Sequence, residues 1–542
     1  MATLPPGVSK TAFDAALRKF AAAIGQENVY SSDEDVGLYR DAYSPIWGHK
    51  DELVAGAAVA PDTVEQVQAI VKIANEFKIP LYPIATGRNL GYGGSAPYLS
   101  GSVVVDLKRM NKVLELDGVR NFALVEPGVS YFDLYRAVQE KGLKVWIDCP
   151  DPGWGSPIGN ALDHGVGYTW GPYRDHFGSH CGMEVVLANG EVLRTGMGAV
   201  PGSKTWQEYK YGFGPTVDGL FGQGNFGIVT KMGFWLMPEP DAYTAGRITV
   251  PRRHDLPALV AHVNYLEDMG LIGQPEYGSP LNALRGGPRA DAKLNGLLSK
   301  QGGPTDAELD GYAQSVGKGV WEVNLQFYGP EKTVQANWEY ARERILGSIP
   351  GATATQGQSY KFPMTPADKE KLPHKVAMGI PNLAVFTIGA RSDLNPTPQD
   401  GHMWFAAVVP RTGEAVLESQ QVMADVYRKH KLAVGGYLQT PATWHPRTFI
   451  MIVGFPVSKS DPEVSKRSIA AFEEVCSVSA QHGWAEYRTP PALVDKVYAS
   501  FGYNNFVLRR FIEQMKDAID PNGILGAGRG GIWPKQLRGK KR

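Results

Sequence analysis

Cysteine is scarce. The chain carries three, Cys149, Cys181 and Cys476, with no C-x-x-C pair, so neither a disulfide framework nor a cysteine-built metal site is available. An excess of either charge is missing too. Lys plus Arg and Asp plus Glu both number 55, so no basic field points to nucleic acid or an anionic membrane surface. No run approaches about 18 uninterrupted apolar residues, and the opening Met1-Ala2-Thr3-Leu4-Pro5-Pro6-Gly7 lacks a basic flank followed by an apolar core. Walker A, H-E-x-x-H and G-x-S-x-G motifs do not occur. These absences lead to the expectation of a soluble, cytoplasmic protein with no resident metal and no nucleic-acid or membrane partner. What is present is globular: 43% hydrophobic and 20% charged residues over 542 positions, enough for two to four units at roughly 150 residues each.

Helical and extended patterns alternate over the first 240 residues. Ala12 to Ala23 places Phe13, Ala16, Leu17 and Phe20 on one helical face. Asp62-Thr63-Val64-Glu65 reads as a capping box opening a second helix. Short apolar runs at 79–85, 102–106 and 122–126 read as strands of a mixed sheet. From about 241 to 485 the helices lengthen (255–269, 333–346, 414–430), with strands at 320–328 and 449–454 and a surface loop at 302–304. A helix over 506–519 then stops at Asp520-Pro521-Asn522-Gly523, and the glycine-dense texture of the first part returns. The expected class is α+β: a domain made from 1–240 and 486–542, with an α+β cap, 241–485, inserted between them.

Gly222-Gln223-Gly224-Asn225-Phe226-Gly227 matches G-x-G-x-x-G, but a dinucleotide fingerprint needs a helix next. Ile228 to Trp235 reads as a strand, which excludes the Rossmann reading. Gly87 to Gly94 is more informative. Its glycines let backbone N–H groups turn inward as an anion nest, although a plain hairpin loop accounts for the octapeptide equally well. Two further glycine-dense stretches, 151–167 and 224–227, favour a backbone wrapped around one large phosphate-bearing ligand.

The segments 84–94, 125–129, 165–169, 182–190, 196–198, 230–233, 486–489 and 520–524, in this order and spacing, resemble the vanillyl-alcohol oxidase and p-cresol methylhydroxylase family. The resemblance implies an FAD-binding domain of two chain ends with a cap over the isoalloxazine. It assigns FAD contacts to Thr86, Gly87, Arg88, Asn89, Gly91, Gly93, Gly94, Pro150, Gly155, Ser156, Asn160, Gly165, Gly167, Gly227, Ile228 and Arg529. Para-substituted phenols are the implied substrates. A phenol titrates near pH ~10, and its anion is the better hydride donor at the benzylic carbon, so the site must hold a phenolate. Tyr92, Tyr487 and Arg488 match that task by resemblance, two hydroxyl donors beside a permanent cation. Taken alone, each tyrosine reads as an ordinary half-buried aromatic.

Asp151 matches the carboxylate that takes a proton from a substrate alcohol or attacking water; without the resemblance it is simply the start of an Asp-Pro-Gly turn. His402, in Asp400-Gly401-His402-Met403-Trp404, matches the histidine bonded to the flavin 8α-methyl in the oxidase branch. The tyrosine used by the dehydrogenase branch has no counterpart in Phe386 to Arg391. His49 is the candidate for activating that attachment. Two departures stand out, Trp170-Gly171 as an insertion and Trp444-His445 where relatives carry paired histidines. The expectation is a homodimeric or larger oxidase with covalent FAD, acting on 4-alkylphenols, 4-hydroxybenzyl alcohols or eugenol-like compounds. Oxygen is its acceptor and hydrogen peroxide its product. The rivals are a dehydrogenase passing electrons to a cytochrome c, a sugar or hydroxy-acid oxidase, and a binding protein that merely retains flavin.

Overall fold

The computed structural model describes residues 3–89, 91–384, 402–432 and 436–540. Its first helix, Lys10–Ile24, is capped by the Ser9 hydroxyl and buries Phe13, Ala16, Phe20 and Ile24, an i, i+3, i+4 stripe. The second, Val64–Phe77, is capped one residue later than its sequence suggests. The Thr63 hydroxyl accepts from the Gln66 amide at 3.2 Å, and the Gln66 side chain accepts from the Asp62 amide at 2.9 Å. Glu65 therefore takes no part in the cap. These helices pack over a four-stranded sheet ordered Val29–Tyr30, Ala57–Val59, Val103–Asp106, Leu81–Ile84, whose last three strands are parallel. Val103 and Val105 point into one core, Val104 into another, which is why the strand reads as an unbroken valine run.

The remaining early strands form a separate sheet. Val113–Asp117, Phe122–Val125, Gly227–Trp235, His180–Leu187 and Val192–Arg194 are antiparallel throughout, in that order. Two sheets thus replace the single mixed sheet expected, because the parallel set is filled by valines buried on both faces and the meander begins anew at Val113. Gly227–Trp235 is a strand, so no helix follows the G-x-G-x-x-G segment.

Two further sheets lie in the later part. One is ordered Glu276–Gly278, Trp321–Gly329, Ala242–Val250, Thr353–Lys361; the other Phe449–Pro456, His402–Val409, Ala485–Glu486. One core built around Trp321, Phe327, Phe405, Phe449 and Phe472 serves both. Helices Leu256–Asp268, Glu331–Leu346 and Gly413–Lys429 fall where the apolar periodicity puts them. The 302–304 turn is more than a surface loop. A Cβ on Gly303 would stand 2.1 Å from the ring of buried Tyr437, so only glycine lets the turn close over it.

The chain's last segment returns to its first sheet. Leu81 and Leu525 form a parallel bridge, the Gly526 amide donates to the Leu81 carbonyl at 2.8 Å, and Ile524 and Leu525 join the core of Val103 and Val105. Arg174, fully buried, forms an ion pair with Glu267, which also pairs with Arg411; Arg411 reaches Asp268 at 2.6 Å. Among the described residues no helix is long and apolar enough to cross a membrane.

Candidate active site

A cavity of about 500 Å³ lies where the first and second sheets meet the later core. This is within the usual range for small-molecule sites. One side is glycine-dense backbone: Thr86 to Asn89 following the strand Leu81–Ile84, Gly155 to Asn160, Gln223 to Gly227, and Leu525, Gly526 and Arg529. Gly87 has φ +66°, and a Cβ there would collide with Ser95 Oγ at 2.1 Å. The backbone amides of Gly87, Arg88 and Asn89 donate to no other group among the described residues. Inward-turned, unpaired amides on a glycine loop suit a phosphate, so this side fits the diphosphate of a dinucleotide.

The rest of the wall carries side chains: Tyr92, Asp151, Tyr168, Trp404, Trp444, Ile452 and Arg488. The Arg488 guanidinium lies 4.0 Å from the centre of the Tyr92 ring and 5.5 Å from that of Tyr487. Burial works against the charge of Arg488, yet Tyr487, Tyr92 and Asp163 outweigh it and hold the group above its ordinary range. Burial raises Tyr92 and Tyr487, so both keep their protons at neutral pH and can donate them. The Tyr487 hydroxyl and Arg488 Nε are buried with no hydrogen-bond partner among the described residues. Leaving such groups unpaired costs about 1–3 kcal/mol each, so they mark a place for a polar ligand atom.

Asp151 and Asp148 differ in surroundings. Asp148 is saturated: it accepts from the Thr169 amide at 2.8 Å, from the Thr169 hydroxyl, and meets His176 Nε2 at 2.8 Å. A Cβ on Gly167 would stand 1.4 Å from its Oδ1. That network fixes residues 167–169, and with them Tyr168, whose hydroxyl donates to Asp151 Oδ2. Burial lifts the Asp151 carboxyl above the usual aspartate range, and the Tyr168 hydrogen bond partly offsets this.

Of the residues assigned from the sequence, Tyr92, Asp151, Arg488, Thr86, Gly87, Arg88, Asn89, Gly94, Pro150, Gly155, Ser156, Asn160, Gly165, Gly227 and Arg529 line this cavity. Others sit off its wall. Ile228 is wholly buried in the first core, Gly93 has its α-carbon against Pro491, Gly167 backs onto Asp148, and Gly91 serves a left-handed turn at φ +71°. Tyr487 stands behind Arg488. His49 is largely exposed and faces Asp51 at 3.3 Å. The His402 side chain, Leu90, and the segment Phe386 to Arg391 lie outside the described residues. Trp170 caps the short helix Gly171–Arg174 and packs edge-on against Tyr328, away from the cavity wall. His445 packs edge-on against Tyr487, with ring centres 5.9 Å apart. Tyr168, Asp163, Trp404 and Ile452 were not singled out beforehand, and Trp444 only as part of a departure from the family pattern. A tyrosine inside Gly-Val-Gly-Tyr-Thr reads as loop, and aromatics in a sheet read as core.

Residues 55–196 match a family model described as an FAD binding domain. The flavoprotein subunit of 4-cresol dehydrogenase (hydroxylating) from Pseudomonas putida is 36% identical over 535 residues, covering 98% of each chain. 1'-Carboxy-chondrochloren decarboxylase of Chondromyces crocatus is 26% identical over 555 residues, covering 95% of this chain and 96% of its own. Among solved structures, 4-ethylphenol oxidase from Gulosibacter chungangensis in complex with isoeugenol superposes with a TM-score of 0.81 at 36% identity, covering 99% of this chain and all of that one. p-Cresol methylhydroxylase with substrate bound gives 0.81 at 34% identity, covering 98% and 99%.

Proposed function

Because this chain belongs to the vanillyl-alcohol oxidase and p-cresol methylhydroxylase family of flavoproteins, we propose that it oxidises para-substituted phenols, with 4-alkylphenols as the central class. The observation that carries this reading is Arg488 over the Tyr92 ring, with Tyr487 beside it, on the wall of a cavity that also holds a glycine-built anion cradle. When bound, FAD supplies the hydride acceptor. Arg488 and the two tyrosines hold the substrate oxygen as a phenolate, by charge and by donated hydrogen bonds. Asp151, on the cavity wall, takes a proton from a benzylic alcohol or from water adding to the quinone methide. Trp404, Trp444 and Ile452, from the later part of the chain, wall the cavity.

In this reading residues 1–240 and 486–542 form the FAD-binding part and 241–485 the cap, supported by the Leu81–Leu525 bridge and by cavity walls from both parts. His402 carries the flavin through its 8α-methyl, two positions before cavity-lining Trp404 on the same strand. The enzyme works as a homodimer or larger oligomer in the cytoplasm, with oxygen as acceptor and hydrogen peroxide as product. A second reading, transfer of electrons to a cytochrome c, is favoured by the similarity to a relative named as a flavoprotein subunit.

One experiment on the purified yellow protein tests these points together. Anaerobic addition of 4-substituted phenols should bleach the flavin absorbance, and admitted air should restore it promptly. Bleaching followed by sluggish recovery selects the cytochrome acceptor. No bleaching by any phenol rejects the proposal. Acid precipitation of the same sample should leave the yellow colour in the pellet.

A further inference from the structure

Asp163 joins three distant stretches of chain at the wall of the cavity. Its Oδ1 is paired with Arg529, from the returning C-terminal segment. Its Oδ2 accepts from Asn89 Nδ2 at 2.6 Å, in the loop that carries Tyr92, and lies 3.6 Å from Arg488 Nη1. The Asp163 side chain is 7% exposed, and those of Arg488 and Arg529 are 16% and 17% exposed. The acid nearest Arg488 in sequence, Glu486, is buried and forms no ion pair with it among the described residues, and burial pushes its carboxyl well above the usual range. Two guanidinium groups therefore share one carboxylate, which leaves one positive charge unbalanced. Arg529 is doubly engaged, by Asp163 and by the Tyr98 hydroxyl at 3.2 Å. Arg488 has the looser contact and an unpaired Nε, so the unbalanced charge resides with Arg488.

We propose that Asp163 is the positioning residue of the phenol subsite: it aims Arg488 at the substrate oxygen and leaves its charge free for one anion. The proposal rests on the phenol reading above. Without Asp163, the guanidinium loses its anchor over Tyr92, and the hydroxyl end of the ligand loses its cation.

The test titrates 4-bromophenol, which has no benzylic hydrogen to transfer and so binds without reducing the flavin, and 4-bromotoluene, the same ring with methyl in place of hydroxyl, against the flavin spectrum of wild type, D163A and D163N. D163A should weaken 4-bromophenol about tenfold or more, as expected for a lost charge-assisted contact, and leave 4-bromotoluene unchanged. D163N should do the same to a smaller extent, because its amide oxygen still accepts from one guanidinium, and it serves if D163A does not fold. Equal weakening of both ligands marks a merely structural role and overturns the proposal, as does unchanged phenol binding. Should the wild type bind both ligands alike, the phenol reading is what fails. The positioning role is then read from a crystal structure of D163N, where a guanidinium still seated over Tyr92 refutes it.

Discussion

Burial makes Asp151 a weaker acid than a free aspartate, because a carboxylate removed from water loses solvation that one hydrogen bond restores in part. Tyr168 donates that bond, and it favours the ionised form. Replacing Tyr168 with Phe removes the donor, so the Asp151 pKa rises further. Proton acceptance needs the ionised carboxyl, and the acid limb of the pH–rate profile should move to higher pH in Y168F. Single-turnover flavin reduction by a 4-hydroxybenzyl alcohol across pH measures it; an unmoved or lowered limb contradicts the assignment. Asp151 was picked out only through the family resemblance, since its proline- and glycine-rich setting by itself reads as a turn. Tyr168 was not, because its role depends on Asp148 and Thr169 fixing the loop from behind, a contact between residues 21 positions apart.

At the scale of elements, the helix Tyr503–Ile519 shows a charge where amphipathic patterning expects solvent. Lys516 is fully buried; its Nζ pairs with Asp520 at 2.8 Å and donates to the carbonyls of Asn225 at 2.6 Å and Leu525 at 2.8 Å. Asn225 and Leu525 both line the cavity, so one ammonium ties two of its backbone loops together. K516M leaves the Asp520 carboxylate and two carbonyls without their cation. Breaking a buried pair costs about 3–5 kcal/mol, so the variant should melt earlier and be purified with less flavin per protein, both readable by thermal scanning and absorbance. Wild-type flavin content would refute the link to the cavity. The helix itself was readable from its apolar spacing and its Asp-Pro-Asn-Gly stop. Its start is less regular: Asn504, Asn505 and Phe506 have positive φ, and helical geometry begins after them. Lysine at 516 gave no sign of burial, since sequence periodicity says which face a residue occupies, not what covers it.

Across the whole molecule, the two halves are joined by charge as well as by apolar packing. Glu267, on the helix Leu256–Asp268, balances both Arg174 from the early part and Arg411 from the later one. The Arg174 Nε also donates to the carbonyl of Trp444 at 3.1 Å, so the same arginine supports a cavity wall. Glu267→Leu strands the buried Arg174 guanidinium, while Arg411 keeps Asp268, and by the same scale this costs about 3–5 kcal/mol. A clear drop in melting temperature is expected in calorimetry, and an unchanged one would show the pair to be dispensable. The return of the chain end to the first sheet was visible in its glycine texture. The division of the early strands into two sheets was not, because pairing between Phe122–Val125 and Gly227–Trp235 spans about a hundred residues and leaves no local trace.

The bridge from Leu81 to Leu525 also sets an order of events during synthesis. One wall of the cavity, Leu525 to Arg529, is made after every residue of the later core. A ribosome must therefore finish some four hundred intervening codons before that wall exists, and until then nothing can be seated there. Loading of the nucleotide thereby waits for the segment Leu525 to Arg529 to be made.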